Sequence, residues 1–167
     1  MNHDLASLPS RAADKKPETR RFFDRLRKRP PADLDDTVTD LHEAVFEETD
    51  CLLCANCCKT TSPVFTDTDI ERIARHLRMK PGLFTETYLR LDEDRDYVLK
   101  GAPCPFLGPD NYCSVYEARP KACREYPHTN RKRFHQILIP LTLNNTAICP
   151  ATFEIVERLK AVYQQLT

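Results

Sequence analysis

Apolar residues recur at helical spacing in four separate stretches of the chain. The first stretch places them at intervals of four, three and four positions, at Leu34, Val38, Leu41 and Val45, so that they share one stripe of a helix. Three further stretches follow the same rule: Ile70, Ile73, Ala74 and Leu77; Leu83, Phe84, Tyr88 and Leu89; and Ile155, Val156, Leu159, Val162, Tyr163 and Leu166. These patterns predict four amphipathic helices, and TDTD at 66–69 offers an N-cap for the second.

Three short stretches are instead rich in aromatic and β-branched residues, as edge and hairpin strands tend to be. They are YVLK at 97–100, YCSVY at 112–116 and HQILIPL at 135–141, the last of which Pro140 confines to an edge or a bulge. Together the helices and strands predict an α+β fold, a small, helix-rich single domain with short strands.

The first 32 residues differ in character from the rest. Residues 1–16 are polar without apolar periodicity, Pro17 marks the start of a short basic helix, and Pro30 and Pro31 end it. We therefore expect residues 1–32 to form a basic N-terminal tail or short helix outside the main core, and residues 33–167 to form the cysteine-cluster domain.

The net charge of zero conceals a sharp asymmetry between two neighbouring segments. Residues 11–29 carry nine Lys and Arg against three acidic residues, whereas residues 33–50 carry eight acidic residues and no Lys or Arg. The basic segment could bind nucleic acid, an acidic protein or the acidic helix that follows it. A charged tail is most often simply solvated, which disfavours nucleic acid, and the sequence identifies no protein partner.

The sequence gives no sign of a membrane segment. Its first residues, MNHDLASLPS, lack the apolar stretch of a secretory signal, and no apolar run is long enough to cross a bilayer. We expect a soluble, cytoplasmic protein with no membrane partner. Thiols stay reduced in the cytosol unless a metal binds them or they serve in redox chemistry, so the eight cysteines favour a metal site.

Four of these cysteines, Cys51, Cys54, Cys57 and Cys58, occur within eight positions as C-x2-C-x2-C-C. Two intervening residues allow a tight loop to turn both sulfurs toward one ion while backbone N–H groups point at them, which is the spacing of metal ligands. Disulfides and reactive thiols are the alternatives. A chain of 167 residues can bury a core without covalent staples, however, and thiols this close together do not join distant segments.

The triplet C-x2-C-x2-C also matches the start of the bacterial ferredoxin ligand run, in which a cysteine followed by proline completes the set. Cys104-Pro105 and Cys149-Pro150 supply that dipeptide. Cys58 follows Cys57 directly, and one tetrahedral ion accepts an adjacent pair only with difficulty, so we expect Cys58 to serve a second metal or a larger cluster. Either four of the eight cysteines bind one iron–sulfur cluster, or all eight divide between two centres.

Four thiolates around zinc, or around a four-iron, four-sulfide core, leave a net charge of about two minus, which nearby cations would offset. The cations next to cysteines in sequence are Lys59, Arg119, Lys121 and Arg124. Arg119 and Arg124 are the candidates for hydrogen bonds to thiolate sulfur. An imidazole from His128 or His135 can replace a thiolate, although histidine on the surface is commoner.

These stretches resemble a known family. CLLCANCC at 51–58, APCPFL at 102–107, YCSVYEARPKACREYP at 112–127 and ICP at 148–150 are similar to the YkgJ-type family, also described as the CxxCxxCC zinc- or iron-chelating domain. The similarity covers roughly residues 45–150. It implies that all eight cysteines serve together as metal ligands: Cys51, Cys54, Cys57, Cys58, Cys104, Cys113, Cys123 and Cys149.

The resemblance implies a metal-binding protein without an assigned reaction. Larger relatives include flagellin lysine N-methylases, but this chain has no Gly-rich strand-to-helix turn for a nucleotide or methyl donor, so the methylase activity is not carried over. We favour an iron–sulfur cluster for electron transfer, sensing or a modification reaction. A structural zinc module for protein or nucleic-acid binding is one alternative, and a metalloenzyme with Arg119, Arg124, Tyr126 or His128 beside the metal is another.

Overall fold

The structure is a computed structural model that describes residues 4–164. Helix makes up 59% of the fold, and a sheet of three short antiparallel strands accompanies it. The predicted small, helix-rich α+β fold with short strands is therefore confirmed. In chain order the elements are α1 (Leu8–Lys28), α2 (Leu34–Glu47), α3 (Cys51–Cys54), α4 (Asn56–Thr60), β1 (Val64–Phe65), α5 (Asp67–His76), α6 (Pro81–Tyr88), β2 (Leu89–Leu91), β3 (Tyr97–Leu99), α7 (Lys121–Glu125), α8 (Leu143–Asn145) and α9 (Pro150–Val162).

The chain divides into two compact units. Unit 1 consists of residues 4–51 and 127–164, and unit 2, residues 52–126, is inserted between these two segments in the sequence. Helices α1, α2 and α9 of unit 1 pack around a core to which the segment 134–143 also contributes: Phe22, Phe23, Leu26, Leu34, Val38, Phe134, Leu138, Leu143, Val156, Leu159 and Tyr163. The apolar stripe predicted for α2 thus points into this core.

Helix α1 belongs to that core, so the expectation that the basic leader lies outside it is wrong. Phe22, Phe23 and Leu26 are fully buried, because their spacing places them on the one apolar face of an otherwise charged helix. An ion pair adds to this packing, since Nζ of the buried Lys160 of α9 lies 2.8 Å from Oε1 of the partly exposed Glu18 of α1. The domain boundary at residue 32 stays a prediction.

The predicted last helix is confirmed as α9, with one difference on its apolar face. Ile155, Val156 and Leu159 are buried, but Val162 at the end of the helix is half exposed. Leu166, the last residue of the predicted face, lies outside the described residues.

Two of the three predicted strands are wrong. Residues 135–141 pair with no strand: they form a 3-10 turn at Phe134–Gln136 and then an irregular segment at Leu138–Thr142 in which Ile139 is extended, and Leu138 packs into the helical core of unit 1. Residues 112–116 contribute a single bridge between Leu107 and Cys113 and then turn into a 3-10 helix at Tyr116–Ala118. The strand predicted at 97–100 is confirmed as β3.

Unit 2 consists of a small sheet covered by two helices. Strand β3 lies between β1 and β2 and pairs antiparallel with both, with Val98 opposite Val64 on one side and Arg90 on the other. Helices α5 and α6 pack together, and the unit has its own core: Phe65, Ile70, Ile73, Ala74, Phe84, Leu89, Leu99, Phe106, Val115 and Ala118. The predicted N-cap of α5 is confirmed, because Thr66 and Asp69 form a capping box.

Within residues 4–164, the helices are too short or too polar for any of them to cross a bilayer.

Candidate metal centre

All eight cysteines lie among the described residues, and none is in a disulfide bond. Cys51 is exposed and the other seven are partly buried. Cys51 and Cys149 belong to unit 1, and the remaining six belong to unit 2. Cys149 immediately precedes α9 and packs against Val45, Ala151 and Ile155.

The cysteine loop, residues 51–60, is built from the short helices α3 and α4. Ala55 separates them by adopting a left-handed conformation with φ 47° and ψ 18°. The Lys59 N–H then donates to the Ala55 carbonyl at 3.1 Å, which starts α4. Cys57 and Cys58 are neighbours in α4, and their Sγ atoms lie 4.0 Å apart.

A second cysteine-bearing segment, residues 104–114, is tied to this loop by backbone bonds. The Cys104 N–H donates to the Cys58 carbonyl at 2.8 Å, and Asn111 Nδ2 donates to the Leu52 carbonyl at 2.5 Å. The segment folds back on itself at Gly108, whose N–H donates to the Tyr112 carbonyl at 2.7 Å. Cys104 is therefore held directly beside the cysteine loop.

Backbone N–H groups point at two of the thiols in this segment. Those of Phe106 and Leu107 act to lower the pKa of the Cys104 thiol, and that of Val115 acts to lower the pKa of Cys113. N–H groups directed at cysteine sulfur stabilise the thiolate form and are a feature of thiolate-ligated metal sites.

The third segment, residues 118–123, carries Cys123 near the start of α7. The Cys123 N–H donates to the Pro120 carbonyl at 3.0 Å, and Pro120 is the N-cap of the helix. Two side chains of α5 hold this segment. Asp69 accepts a hydrogen bond from the Lys121 N–H at 3.0 Å, and Arg72 donates to the carbonyls of Ala118 and Arg119 at 3.3 and 2.7 Å.

Sequence reasoning identified Asp69 as a helix cap but missed its bond to the Cys123 segment, and it missed Arg72 altogether. Lys121 is 52 positions away from Asp69, so no local pattern connects them. The sequence signal that could have identified them is the pair Asp69 and Arg72, an acidic and a basic residue three positions apart at the start of a helix with a capping box.

The pKa values show that four thiols of unit 2 lie close together. A hydrogen bond from Cys57 lowers the pKa of Cys58 to about 7; burial opposes this, and the positive charges of Arg119 and Lys59 add to it. Burial raises the pKa of Cys123 to about 12, and the charges of Cys58, Cys104 and Cys113 raise it further.

Burial also raises the pKa values of Cys104 and Cys113, and in both cases the charge of Cys58 contributes. The charge of Cys58 thus acts on Cys104, Cys113 and Cys123. The three cysteine-bearing segments therefore converge within unit 2.

The two predicted arginines occupy different places. The Arg119 guanidinium lies 3.3 Å from the centre of the Tyr116 ring and donates from Nε to the Tyr116 carbonyl at 2.7 Å, while its charge acts on Cys58. Arg124 donates to the Arg119 carbonyl at 2.5 Å. Their predicted hydrogen bonds to sulfur stay a prediction, but the charge of Arg119 acts on Cys58, Cys113 and Cys123.

The donor atoms fit a zinc or iron site by their chemistry. Partly buried thiols, N–H groups aimed at sulfur and two cations are what a thiolate-bound metal requires. No three His, Cys, Asp or Glu side chains among residues 4–164 stand at coordinating distance around one point. The donor atoms are therefore of the kind that zinc and iron bind, whereas the described side chains are not arranged around one point.

An open cleft of about 240 Å³ lies beside Cys104 and is lined by residues on both sides of it: Thr87, Tyr88, Lys100, Gly101, Ala102, Pro103 and Pro105. Its lining differs from the residues predicted to line an enzyme pocket, which were Arg119, Arg124, Tyr126 and His128. Of the two histidines weighed as ligands, His135 lies in the 3-10 turn of unit 1, and His128 also belongs to that unit.

The chain matches a known protein family. A family model named CxxCxxCC, described as "putative zinc- or iron-chelating domain", matches residues 50–140. No curated protein and no solved structure matches the chain. The matched region contains seven of the eight cysteines and ends before Cys149.

Proposed function

Because the chain belongs to the CxxCxxCC family of zinc- or iron-chelating domains, we propose that it binds an iron–sulfur cluster through its cysteines and uses it for electron transfer or redox sensing. The observation that carries this proposal is the convergence of Cys58, Cys104 and Cys123, together with Cys113, from three separate segments of unit 2. Cys54 and Cys57 lie in the same cysteine loop, and Cys51 and Cys149 are further proposed ligands.

Two features favour iron–sulfur over zinc. Eight thiols exceed what one zinc tetrahedron takes, and the C-x2-C-x2-C triplet with Cys-Pro partners follows the ferredoxin pattern. A bound cluster would supply one-electron redox chemistry.

The protein's own residues would bind and tune such a cluster. The N–H groups of Phe106, Leu107 and Val115 face Cys104 and Cys113, and N–H donors to the sulfurs of a bound cluster would raise its reduction potential. Lys59 and Arg119 offset part of the negative charge of the thiolates. Partial burial of Cys104 and Cys123 limits the access of water.

Anaerobic purification followed by iron, zinc and acid-labile sulfide analysis tests this proposal. We expect iron and sulfide in stoichiometric amounts, with a visible absorption that bleaches on chemical reduction. Cys58→Ser and Cys104→Ser should lose most of the iron, whereas Thr60→Ser, in the same loop, should retain it. Zinc without sulfide would overturn the iron–sulfur assignment.

A structural zinc site is the second candidate, and the distance between Cys57 Sγ and Cys58 Sγ favours it. A tetrahedral site with Zn–S bonds of about 2.3 Å places its sulfurs about 3.8 Å apart. The observed 4.0 Å is close to that value, so the adjacent pair can serve one ion, against the expectation from sequence. Such a protein would be colourless and resist reduction, and a chelator would disorder its cysteine segments.

A further inference from the structure

The Asp69 carboxylate of α5 is almost entirely buried and is surrounded by donors. It accepts hydrogen bonds from Thr66 Oγ1 at 2.8 Å, from the Thr66 N–H at 3.1 Å and from the Lys121 N–H at 3.0 Å, and it pairs with the Arg72 guanidinium. A buried carboxylate is stable only when its oxygens are satisfied in this way. The Lys121 N–H is one of the donors that satisfy it, so the start of α7 is fixed to α5.

Arg72 holds the same segment from the other side of Pro120. Its Nε donates to the Ala118 carbonyl at 3.3 Å, and its Nη2 donates to the Arg119 carbonyl at 2.7 Å. A planar guanidinium can bond two acceptors and a carboxylate at once, which a lysine cannot do with the same geometry. The two side chains therefore hold three peptide groups of residues 118–121.

This segment needs such support. Helix α7 has only five residues and none of them is buried, so neither its length nor apolar packing of its own side chains fixes its position. The thiol of Cys123 lies two residues beyond the Lys121 N–H that Asp69 binds. Bonds to α5, whose Ile73 is fully buried in the core of unit 2, set where that thiol sits.

We propose that Asp69 and Arg72 are positioning residues that hold Cys123 ready to bind metal. This inference rests on the proposed function in one respect, namely that Cys123 is a ligand. A ligand that is already in place avoids the cost of ordering its segment when the metal binds, and this increases affinity. Residues that orient metal ligands typically contribute a factor of about 10 to 100 in affinity.

The test compares Asp69→Asn and Arg72→Ala with wild-type protein. We expect both variants to bind the native metal about 10-fold or more weakly in competition with a chelator. In the metal-free protein, both should raise the rate at which iodoacetamide alkylates Cys123, measured by mass spectrometry relative to Cys104. Arg72→Lys retains the positive charge beside Asp69 but loses the planar guanidinium with its several donors. Its metal affinity and its Cys123 alkylation rate should therefore lie between those of wild type and Arg72→Ala.

Two control variants separate positioning from general destabilisation. Glu71→Gln removes a charge from an exposed position of α5, and Ile73→Val weakens the core beneath the same helix. Both should leave the ratio of Cys123 to Cys104 alkylation unchanged. Wild-type affinity and wild-type alkylation in both Asp69→Asn and Arg72→Ala would overturn the inference.

The alkylation measurement keeps the two proposals distinct. Wild-type protein that binds no metal after anaerobic preparation would contradict the proposed function. Faster alkylation of Cys123 in the variants would still show that Asp69 and Arg72 position this thiol.

Discussion

Ala55 is the residue on which the shape of the cysteine loop depends. Its left-handed backbone, with φ 47°, costs an alanine about 1 kcal/mol, because Cβ approaches the following carbonyl oxygen. The methyl group is also buried, at 6% exposure, so its packing offsets part of that cost. An alanine here is thus a compromise between backbone strain and burial.

Substitutions at Ala55 should separate the cost of backbone strain from the gain of burying the methyl group. Ala55→Gly relieves the backbone strain, but it loses the methyl contact and increases the conformational entropy of the unfolded chain. Because these effects oppose each other, we expect the unfolding free energy to change by no more than about 0.5 kcal/mol. Ala55→Val places a β-branched residue in the left-handed region and should cost about 2 kcal/mol. Urea denaturation measures both values, and equal stability of the valine variant and wild type would contradict the interpretation.

Gly108 allows the turn that brings Cys113 back toward Cys104. A Cβ at this position would lie 2.7 Å from Asp110 Oδ1, the atom that accepts the Tyr112 N–H at 3.1 Å. Gly108→Ala should therefore displace the Asp110 carboxylate and lower the unfolding free energy by about 1 kcal/mol. Gly101→Ala is the matched control, since nothing lies within 4 Å of a Cβ there.

A double-mutant cycle checks the cause of this effect. If the alanine at 108 acts by displacing Asp110, it should cost much less in a protein that already carries Asp110→Ala. Additive effects of the two substitutions would contradict the explanation.

At the level of the element, the side chains of α5 make both local and long-range hydrogen bonds. Thr66 and Asp69 form a capping box that the local sequence predicts, whereas the hydrogen bonds that Asp69 and Arg72 form with residues 118–121 depend on the tertiary fold. Burial raises the pKa of Asp69, but hydrogen bonds from Thr66, Arg72 and the Lys121 N–H outweigh it, and the pKa lies below its usual value.

This pKa shift predicts how stability depends on pH. A carboxyl whose pKa is lower in the folded than in the unfolded protein stabilises the fold above its unfolded pKa, and this contribution is lost as the pH falls through its folded pKa. The difference in unfolding free energy between wild type and Asp69→Asn should therefore be largest near neutral pH and shrink below about pH 4.

Urea denaturation of both proteins across that pH range measures this difference. Cysteine protonation affects both proteins alike and cancels in the comparison. Glu71→Gln serves as the control, and its difference from wild type should stay small throughout. A gap between wild type and Asp69→Asn that widens toward acid pH would contradict the assignment.

The elements that sequence predicts correctly are those whose signal is local. Helix α2 follows from the spacing of Leu34, Val38 and Val45, and α5 follows from its cap and apolar face. Residues 135–141 look like a strand because β propensity reflects side-chain shape, yet Leu138 is buried among helices and the backbone follows them.

The candidate site likewise has features that the sequence predicts and features that only the tertiary structure shows. Its ligands are visible in the spacing of the cysteines and in the Cys-Pro dipeptides. The convergence of Cys58, Cys104 and Cys123 is a property of the tertiary fold, as is the role of Asp69, so sequence spacing alone does not reveal them.

At the level of the whole molecule, the basic leader is a structural helix and not a tail. Its charges fill the exposed faces of α1 while Phe22 and Phe23 lie fully buried in the core of unit 1. The high charge of residues 11–29 conceals this role, because only one narrow stripe of the helix is apolar.

Alanine substitutions distinguish these two views of the leader. Phe23→Ala should lower the unfolding free energy of unit 1 by about 3–5 kcal/mol, because it leaves a cavity in the core. Arg21→Ala, at an exposed position of the same helix, should change it by no more than about 0.5 kcal/mol. Thermal unfolding followed by circular dichroism measures both, and equal effects of the two substitutions would contradict a core role for α1.

The insertion of unit 2 between two segments of unit 1 sets an order of events during synthesis. Residues 52–126 leave the ribosome before α9 does, and Val156 and Leu159 of α9 complete the core around α1 and α2. The nascent chain can thus fold unit 2 while unit 1 still lacks its last helix. The six thiols of unit 2 can therefore meet a metal before unit 1 is complete.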